Sequence, residues 1–411
     1  MDYTIGKQRN KHVILILLFI GYLVDYLDRM VMSVAVVSIK EELSLSPSAV
    51  GMILSSFFFS YALMQIPGGW LTDKFGSRKI ILWSVVVWSV FTVLTGLVWS
   101  LASLLIIRFL FGIGQGGYPS ATQKGIADFY PKNERSNASS ILMSSNYFGI
   151  ALAPLVAAPM ILWMGWRNMF IVLGLLGVIM TAVFWVYYKV PRQERESNET
   201  NKVPLKEVLA NLELWKITIM WFAAGIVNWG LASWIPSYLM DSRGMDMMSM
   251  GFFAALPGIS TGVAMLFSGW LIQRFIPNHE KYYAAIGMLV SAVFLYFMFT
   301  TQSLVTAMIC MNICMVFKSF AFTVTFSLPH KMMPNRVIGS AMGIINMGAQ
   351  AAGFISPLVM GFMIDSFGTY DAAFWFLIGV SVLSIVMALS IKKPSKVISQ
   401  NQEIVIHRRS L

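Results

Sequence analysis

The sequence predicts an all-α membrane protein, with twelve transmembrane helices in two pseudo-symmetric six-helix bundles. Three observations carry that prediction. Of 411 residues, 57% are hydrophobic and 12% charged, with a mean hydropathy of +0.69. Soluble domains carry about 25% charged residues, so there is too little polar surface to coat a water-facing particle. Apolar runs of about 20 residues, each able to cross roughly 30 Å of hydrocarbon, recur from end to end. The basic residues, counted loop by loop, fall on one side of the implied layer.

The first run, 13–38, carries Asp25, Asp28 and Arg29 and is too long and too charged for a cleaved signal peptide. The second, 48–68, ends in GGWLTDKFGSRK (68–79). After the third, 79–98, the fourth (101–124) contains Arg108 and a glycine-rich stretch, RFLFGIGQGGYPS (108–120). The fifth and sixth, 136–160 and 168–189, complete one half. VPRQERESNETNKVPLKEVLANLELW (190–215) is the only extended charged stretch within the chain and reads as a linker with a short surface helix. Six further runs follow at 216–240, 250–275, 281–300, 303–328, 338–364 and 372–391. SGWLIQRFIP (268–277) repeats the first motif with a shift of 200 residues. The expected organisation is therefore a bundle at 1–189, a linker at 190–215, a second bundle at 216–391 and a tail at 392–411. Repetition of one six-helix unit suggests two bundles facing each other, with a substrate site between them near the midplane.

The net charge of +11 might suggest nucleic acid, but its distribution does not. With the N-terminus inside, 24 of the 30 Lys and Arg residues fall in inner segments. The outer loops hold Lys40, Arg167 and Arg243, and the spans hold Arg29, Arg108 and Lys318. The excess is a topology signal, with both termini cytoplasmic in a cell (inner) membrane and no nucleic-acid partner. Cys310 and Cys314, one turn apart in the tenth run, read as packing residues rather than a disulfide or metal site. No metalloprotease, nucleophile-elbow or Walker pattern is present, and the four histidines sit at predicted inner ends. The sequence thus predicts no enzyme, no cofactor and no metal.

Gly69-x-Leu71-x-Asp73-Lys74-x-Gly76-x-Arg78-Lys79 resembles the loop 2–3 signature of the major facilitator superfamily. With twelve spans and a second, degenerate copy, the resemblance covers nearly the whole chain. Physically, the glycines allow close approach of helix ends, and Asp73 can bridge to a neighbouring helix end or cation, latching one state of the transport cycle. A plain basic turn would not account for the aspartate and glycine spacing. Gln273 stands where the second copy would carry an aspartate, so any latch there should be weaker. YLDRM (26–30), the fourth-span segment, DFYPKNERSNA (128–138), SSNYFG (144–149) and GAQAAGFISPLVMGF (348–362) are similar to the anion:cation symporter family, whose members typically import sugar acids and other organic anions.

The glycines at 112, 114, 116 and 117 follow a helix, not a strand, so a dinucleotide-binding turn is excluded; small residues there allow close helix packing. An arginine inside a span is costly unless it faces water or a counter-charge. Three intramembrane cations against Asp25 and Asp28 leave net positive charge, which favours an anion. The competing reading is that each cation only neutralises a carboxylate. The resemblance implies that Arg29 and Arg108 coordinate the substrate or its coupling network. Tyr26, Tyr61, Gln115, Asn146, Lys318, Thr323, Thr325 and Gln350 then complete the binding set, and Gly69, Asp73, Lys74, Gly76 and Arg78 the conformational gate.

Coupling is where the sequence departs from the resemblance. Gln115 replaces the glutamate that relatives use to take up a proton, and an amide cannot titrate. Asp28, with Asp25, is then the expected proton carrier, its affinity set by burial against the neighbouring arginine. The resulting expectation is a monomeric, bilayer-embedded importer of a small organic anion with H+. The alternatives are an exporter of the same fold, whose apolar pocket would use Trp221, Trp229, Trp234 and Phe326, or an uncoupled facilitator or exchanger. A transporter-like receptor would need a signalling domain that this sequence does not contain.

Overall fold

In hydrocarbon every backbone N–H and C=O must be paired within the protein, which leaves helices as the solution where the described residues form no strand. A computed structural model describes residues 2–131, 134–189, 209–275, 279–333 and 338–392. The helices are α1 (Asp2–Glu42), α2 (Pro47–Phe75), α3 (Ser77–Thr95), α4 (Leu101–Gly116), α5 (Tyr118–Phe129) and α6 (Arg135–Tyr187). They continue as α7 (Leu212–Asp241), α8 (Met247–Phe275), α9 (Glu280–Thr300), α10 (Leu304–Met332), α11 (Ile338–Phe367) and α12 (Tyr370–Ser390). Residues 190–208 of the predicted linker and the tail beyond 392 lie outside the described residues, and α7 starts within the predicted linker range.

These elements make twelve crossings. α4 and α5 join at Gly117 into one apolar segment, Leu101–Phe129. α6, with 53 residues, would be about 80 Å long if straight, more than twice the hydrocarbon thickness. It folds back at Gly165, whose φ of 79° and ψ of 158° lie outside the helical region and favour glycine. α1 carries its charges mid-helix and is the remaining crossing. Where helices start, short polar residues cap them: Ser46 accepts from Ala49 N–H, Ser100 from Ser103 N–H, and Asn211 from the N–H groups of Glu213 and Leu214.

Among the described residues, Lys74, Arg78 and Lys79 around the α2–α3 turn, Lys189 and Lys216 at the facing ends of α6 and α7, and Arg274 and Lys281 at those of α8 and α9 define a basic face; Lys40, Arg167 and Arg243 mark the opposite face. Exposed tryptophans sit near both levels: Trp99 and Trp163 at the opposite face, Trp70 and Trp185 at the basic face. This is the placement expected of an interfacial aromatic belt. Glycine enables the tight contacts inside the first half. A Cβ on Gly112 would lie 2.6 Å from the Phe57 carbonyl oxygen of α2, and one on Gly114 2.9 Å from Val87 of α3. The glycine-rich stretch packs helices, as its sequence context predicts.

The halves meet at the opposite face. Lys40 Nζ donates to Asp241 Oδ2 at 2.8 Å, and Tyr370 OH donates to the same oxygen at 2.8 Å. Ser48 bonds Asp365. Beneath them α2 and α11 interlock, a Cβ on Gly51 falling 2.7 Å from the Pro357 carbonyl and one on Gly361 2.7 Å from that of Pro47. Toward the basic face the halves separate around a vestibule of about 790 Å³, lined by Ser139, Met143 and Tyr147 of α6, Gly262 and Met265 of α8, and Phe322 and Phe326 of α10. Among the described residues the molecule is closed at the opposite face and open at the basic face.

Candidate functional site

α1 places Asp25, Asp28 and Arg29 on consecutive turns in the middle of the first half, all buried. Arg29 Nη2 donates to Asp25 Oδ2 at 3.2 Å and to Gln115 Oε1 at 3.3 Å. Gln115 in turn donates from Nε2 to the Asp25 backbone carbonyl at 3.3 Å. The Arg29 guanidinium is enclosed by the rings of Tyr26, Phe57 and Tyr61, at 4.5, 4.8 and 4.6 Å. Asp28 accepts a bond of 2.6 Å from Thr92 Oγ1 of α3. Arg108 of α4 lies over Phe111 at 4.7 Å and Phe57 at 5.4 Å, with Asp28 as the carboxylate in electrostatic reach. Two guanidiniums thus stand with two carboxylates inside a single bundle. That cluster is charge-balanced.

The third intramembrane cation has no such balance. Lys318 of α10 is buried, and its Nζ donates to Asn228 Oδ1 of α7 at 2.5 Å and to Met315 Sδ at 3.2 Å. Among the described residues no carboxylate pairs with it. A central cavity of about 100 Å³ between the halves is lined by Lys318, Asn228, Thr261, Trp221 and Trp229 from the second half and by Tyr26, Asn146, Tyr147 and Ile150 from the first. It adjoins the vestibule, since Asn146, Tyr147, Met265 and Phe322 line both. Tyr147 and Phe322 face each other across this boundary, ring centroids 6.5 Å apart at 73°. On the closed side it adjoins a blind space of about 60 Å³ lined largely by apolar residues such as Met30, Val34, Ile235 and Pro257.

Of the ten predicted binding residues, this cavity takes three: Tyr26, Asn146 and Lys318. Arg29 and Arg108, which the resemblance implies coordinate the substrate or its coupling network, do not line this cavity. Both turn into the first half, Arg29 onto Asp25, Gln115 and three aromatic rings, Arg108 onto the rings of Phe57 and Phe111. Tyr61 and Gln115 belong to that same cluster. Thr325 donates to its own helix at Ala321 O, 2.8 Å away, and Thr323 bonds Ser268 and the Ser319 carbonyl. Gln350 leaves Oε1 buried and unpartnered away from the cavity. Asn228 and Thr261, absent from the predicted set, complete the lining; no motif marks them, because their significance comes from facing Lys318's cavity. Three buried polar atoms in that lining have no partner among the described residues: Trp221 Nε1, Thr261 Oγ1 and Asn146 Oδ1.

At the basic face the signature residues form local contacts. Gly76, with φ 87°, makes the turn between α2 and α3. Asp73 accepts a bond of 3.2 Å from Lys124 of α5, within the same half, and Arg78 donates to the Trp185 carbonyl at 2.7 Å. Lys74 lies over Trp70 at 4.8 Å, while Gly69 faces Ser120. No ion pair crosses between the halves here among the described residues; the Gln273 side chain lies outside them. The DFYPKNERSNA segment is also structural, with Arg135 donating to the carbonyls of Tyr130 and Ala127 at 2.9 Å each and Glu134 accepting from Lys11 at 2.6 Å.

The family model described as Major Facilitator Superfamily matches residues 18–357, with a second, overlapping match over 278–405. A probable sulfoacetate transporter of Cupriavidus necator is 33% identical over 406 residues, covering 92% of this chain and 94% of the relative. A probable galactarate/D-glucarate transporter of Escherichia coli is 30% identical, covering 93% and 95%, and a hexuronate transporter of Bacillus subtilis 25% identical, covering 94% and 96%. Among solved structures, a bacterial homologue of the human lysosomal transporter Spinster, inward-facing and occupied, superposes with a TM-score of 0.81 at 20% identity, covering 92% of this chain and 95% of that one. That likeness shows the fold.

Proposed function

This chain belongs to the major facilitator superfamily, and we propose that it works as a secondary active transporter importing a small organic anion, a sugar acid or related carboxylate, with protons by alternating access. One observation carries the reading: Lys318, a buried cation without a carboxylate, lines the cavity between the halves. An uncompensated charge inside a membrane span calls for an ion to pair with it, and the full-length relatives are named for anions.

The remaining parts follow from that centre. Residues 1–189 and 216–391 act as the two rocking bodies, joined by 190–215, and the protein functions as a monomer. The basic face is cytoplasmic by the positive-inside rule, with both termini there in the cell membrane, so the described state opens inward. Tyr26 lines the cavity and lies under the Arg29 guanidinium, which places the Asp25–Arg29–Gln115 cluster one side chain behind the cargo. Arrival of an anion draws positive charge toward the cavity, and Asp28, with Asp25, takes up the coupling proton as its arginine partner is drawn away. The loop at Gly69, Asp73, Lys74, Gly76 and Arg78 re-pairs across the halves when the basic face closes.

Uptake of sulfoacetate and of D-glucarate into proteoliposomes, with and without an inward proton gradient, tests this. The expected result is gradient-stimulated uptake that Lys318→Gln abolishes, with Asp28→Asn retaining exchange but losing the stimulation. A rate indifferent to the gradient and unchanged in Asp28→Asn identifies an uncoupled facilitator or exchanger instead.

A further inference from the structure

Resting on the anion reading above, we infer that the central cavity takes a short, hydroxyl-poor oxyanion, a carboxylate or sulfonate on two to four carbons, held by Lys318, the Trp221 indole N–H and the Thr261 hydroxyl. The first argument is room. A water's centre can sit anywhere within about 100 Å³ of the cavity proper, against about 790 Å³ in the vestibule it adjoins. A six-carbon sugar diacid seated on Lys318 would have to reach out of it, into the aromatic-lined vestibule or the largely apolar space on the closed side.

The second argument is the balance of donors and acceptors. Trp221 and Thr261 both line the cavity, each 8% exposed, and their buried Nε1 and Oγ1 atoms have no partner among the described residues. Indole offers only a donor, a hydroxyl offers one, and an ammonium offers three. The two unpaired donors therefore suit the lone pairs of an oxyanion head, while the third unpaired atom of the lining, the acceptor Asn146 Oδ1, leaves a place for a single hydroxyl. Trp221 and Asn228 are two turns apart on α7, Thr261 comes from α8 and Lys318 from α10, so the seat is built within the second half while the first half covers it. Around the seat stand aromatic faces: Trp229, Phe322, Tyr147 and Tyr26. A sugar acid carries a hydroxyl on nearly every carbon. Each hydroxyl buried there without a partner would weaken binding by roughly fivefold to a hundredfold.

Third, the cation is an ammonium. It is a compact charge without the planar fork that reads an extended carboxylate, and it suits carboxylate and sulfonate heads alike.

The test is calorimetric titration of the purified full chain in nanodiscs with sulfoacetate, malonate and glycolate, and with D-glucarate and D-galactonate. The short series is expected to bind at least about tenfold tighter, and Trp221→Phe and Thr261→Val, which delete one donor each at nearly constant shape, to weaken it roughly tenfold or more. Six-carbon acids binding equally well or better, with binding lost in Lys318→Gln, would overturn the size class and leave the anion-transport reading standing. Unchanged affinity in both donor variants would overturn the assigned seat. No binding of either series, or binding indifferent to Lys318→Gln, would remove the anion reading itself. The wild-type comparison decides the size class even where a variant does not fold.

Discussion

Lys318 Nζ lies 2.5 Å from Asn228 Oδ1, joining α10 to α7 through a cation and a neutral amide in the wall of the interdomain cavity. Charge-assisted hydrogen bonds contribute about 1.5–3 kcal/mol. Lys318→Gln should therefore weaken anion binding by at least tenfold, as read by titration calorimetry, while Lys318→Arg retains part of it. Asn228→Asp should also weaken binding, because a carboxylate there neutralises the ammonium before cargo arrives.

Arg29 and Asp25 should matter to stability as a pair. Removing one partner of a buried ion pair costs about 3–5 kcal/mol, whereas replacing both can be nearly neutral. Arg29→Gln is expected to lower the unfolding temperature in detergent, and Asp25→Asn combined with it to recover most of the loss. A double variant no better than the single one would show that the pair is not the relevant unit.

The Lys40–Asp241 bridge holds the opposite face shut. Both side chains are about a third exposed, and pairs of that kind contribute roughly 0.2–1 kcal/mol. Asp241→Asn, which also weakens the Tyr370 contact, should raise the fraction open at that face by no more than a few-fold. Spin labels at Ser44 and Ser242, followed by pulsed dipolar spectroscopy, would read this as a longer-distance population.

At the same face, Arg167 and the Trp166 indole donate to the Glu42 carboxylate, with Arg167 Nη2 at 2.7 Å and Trp166 Nε1 at 2.6 Å. These bonds, Arg167's first, hold the Glu42 carboxyl below its ordinary range. A group whose folded pKa is depressed contributes stability above its unfolded pKa and loses it as pH falls through the folded one. The tie between α1 and the corner of α6 should therefore be intact at neutral pH and released in acid. Glu42→Gln should lower the neutral plateau of a melting-temperature-against-pH curve slightly and leave its acid end nearly unchanged, flattening the limb between them.

The fold was legible because the bilayer imposes length and apolarity on each span, and because GGWLTDKFGSRK and SGWLIQRFIP betray the repeat. The fourth-span glycines were also readable, since a helix precedes them. The cargo site was less so. Arg29, Arg108 and Lys318 look alike in sequence as isolated charges in apolar runs. What separates them is which has a carboxylate within reach, and that depends on helix rotation: α1 turns Asp25 and Arg29 toward Gln115, whereas α10 turns Lys318 toward an amide. Thr323 and Thr325 show the same limit, because a hydroxyl that bonds its own helix is indistinguishable in sequence from one that faces a cavity. Asn228 and Thr261 belong to no motif, and their place in the lining appears only when α7, α8 and α10 are packed.

The central claim is that the cargo's negative charge is received by Lys318 and not by the arginines of the first half. A cryo-electron microscopy map of the protein in nanodiscs saturated with sulfoacetate tests it most directly. The account predicts density for the anion within hydrogen-bond distance of Lys318 Nζ, with none against Arg29 or Arg108. Anion density against Arg29 or Arg108, with Lys318 still held on Asn228, would contradict it.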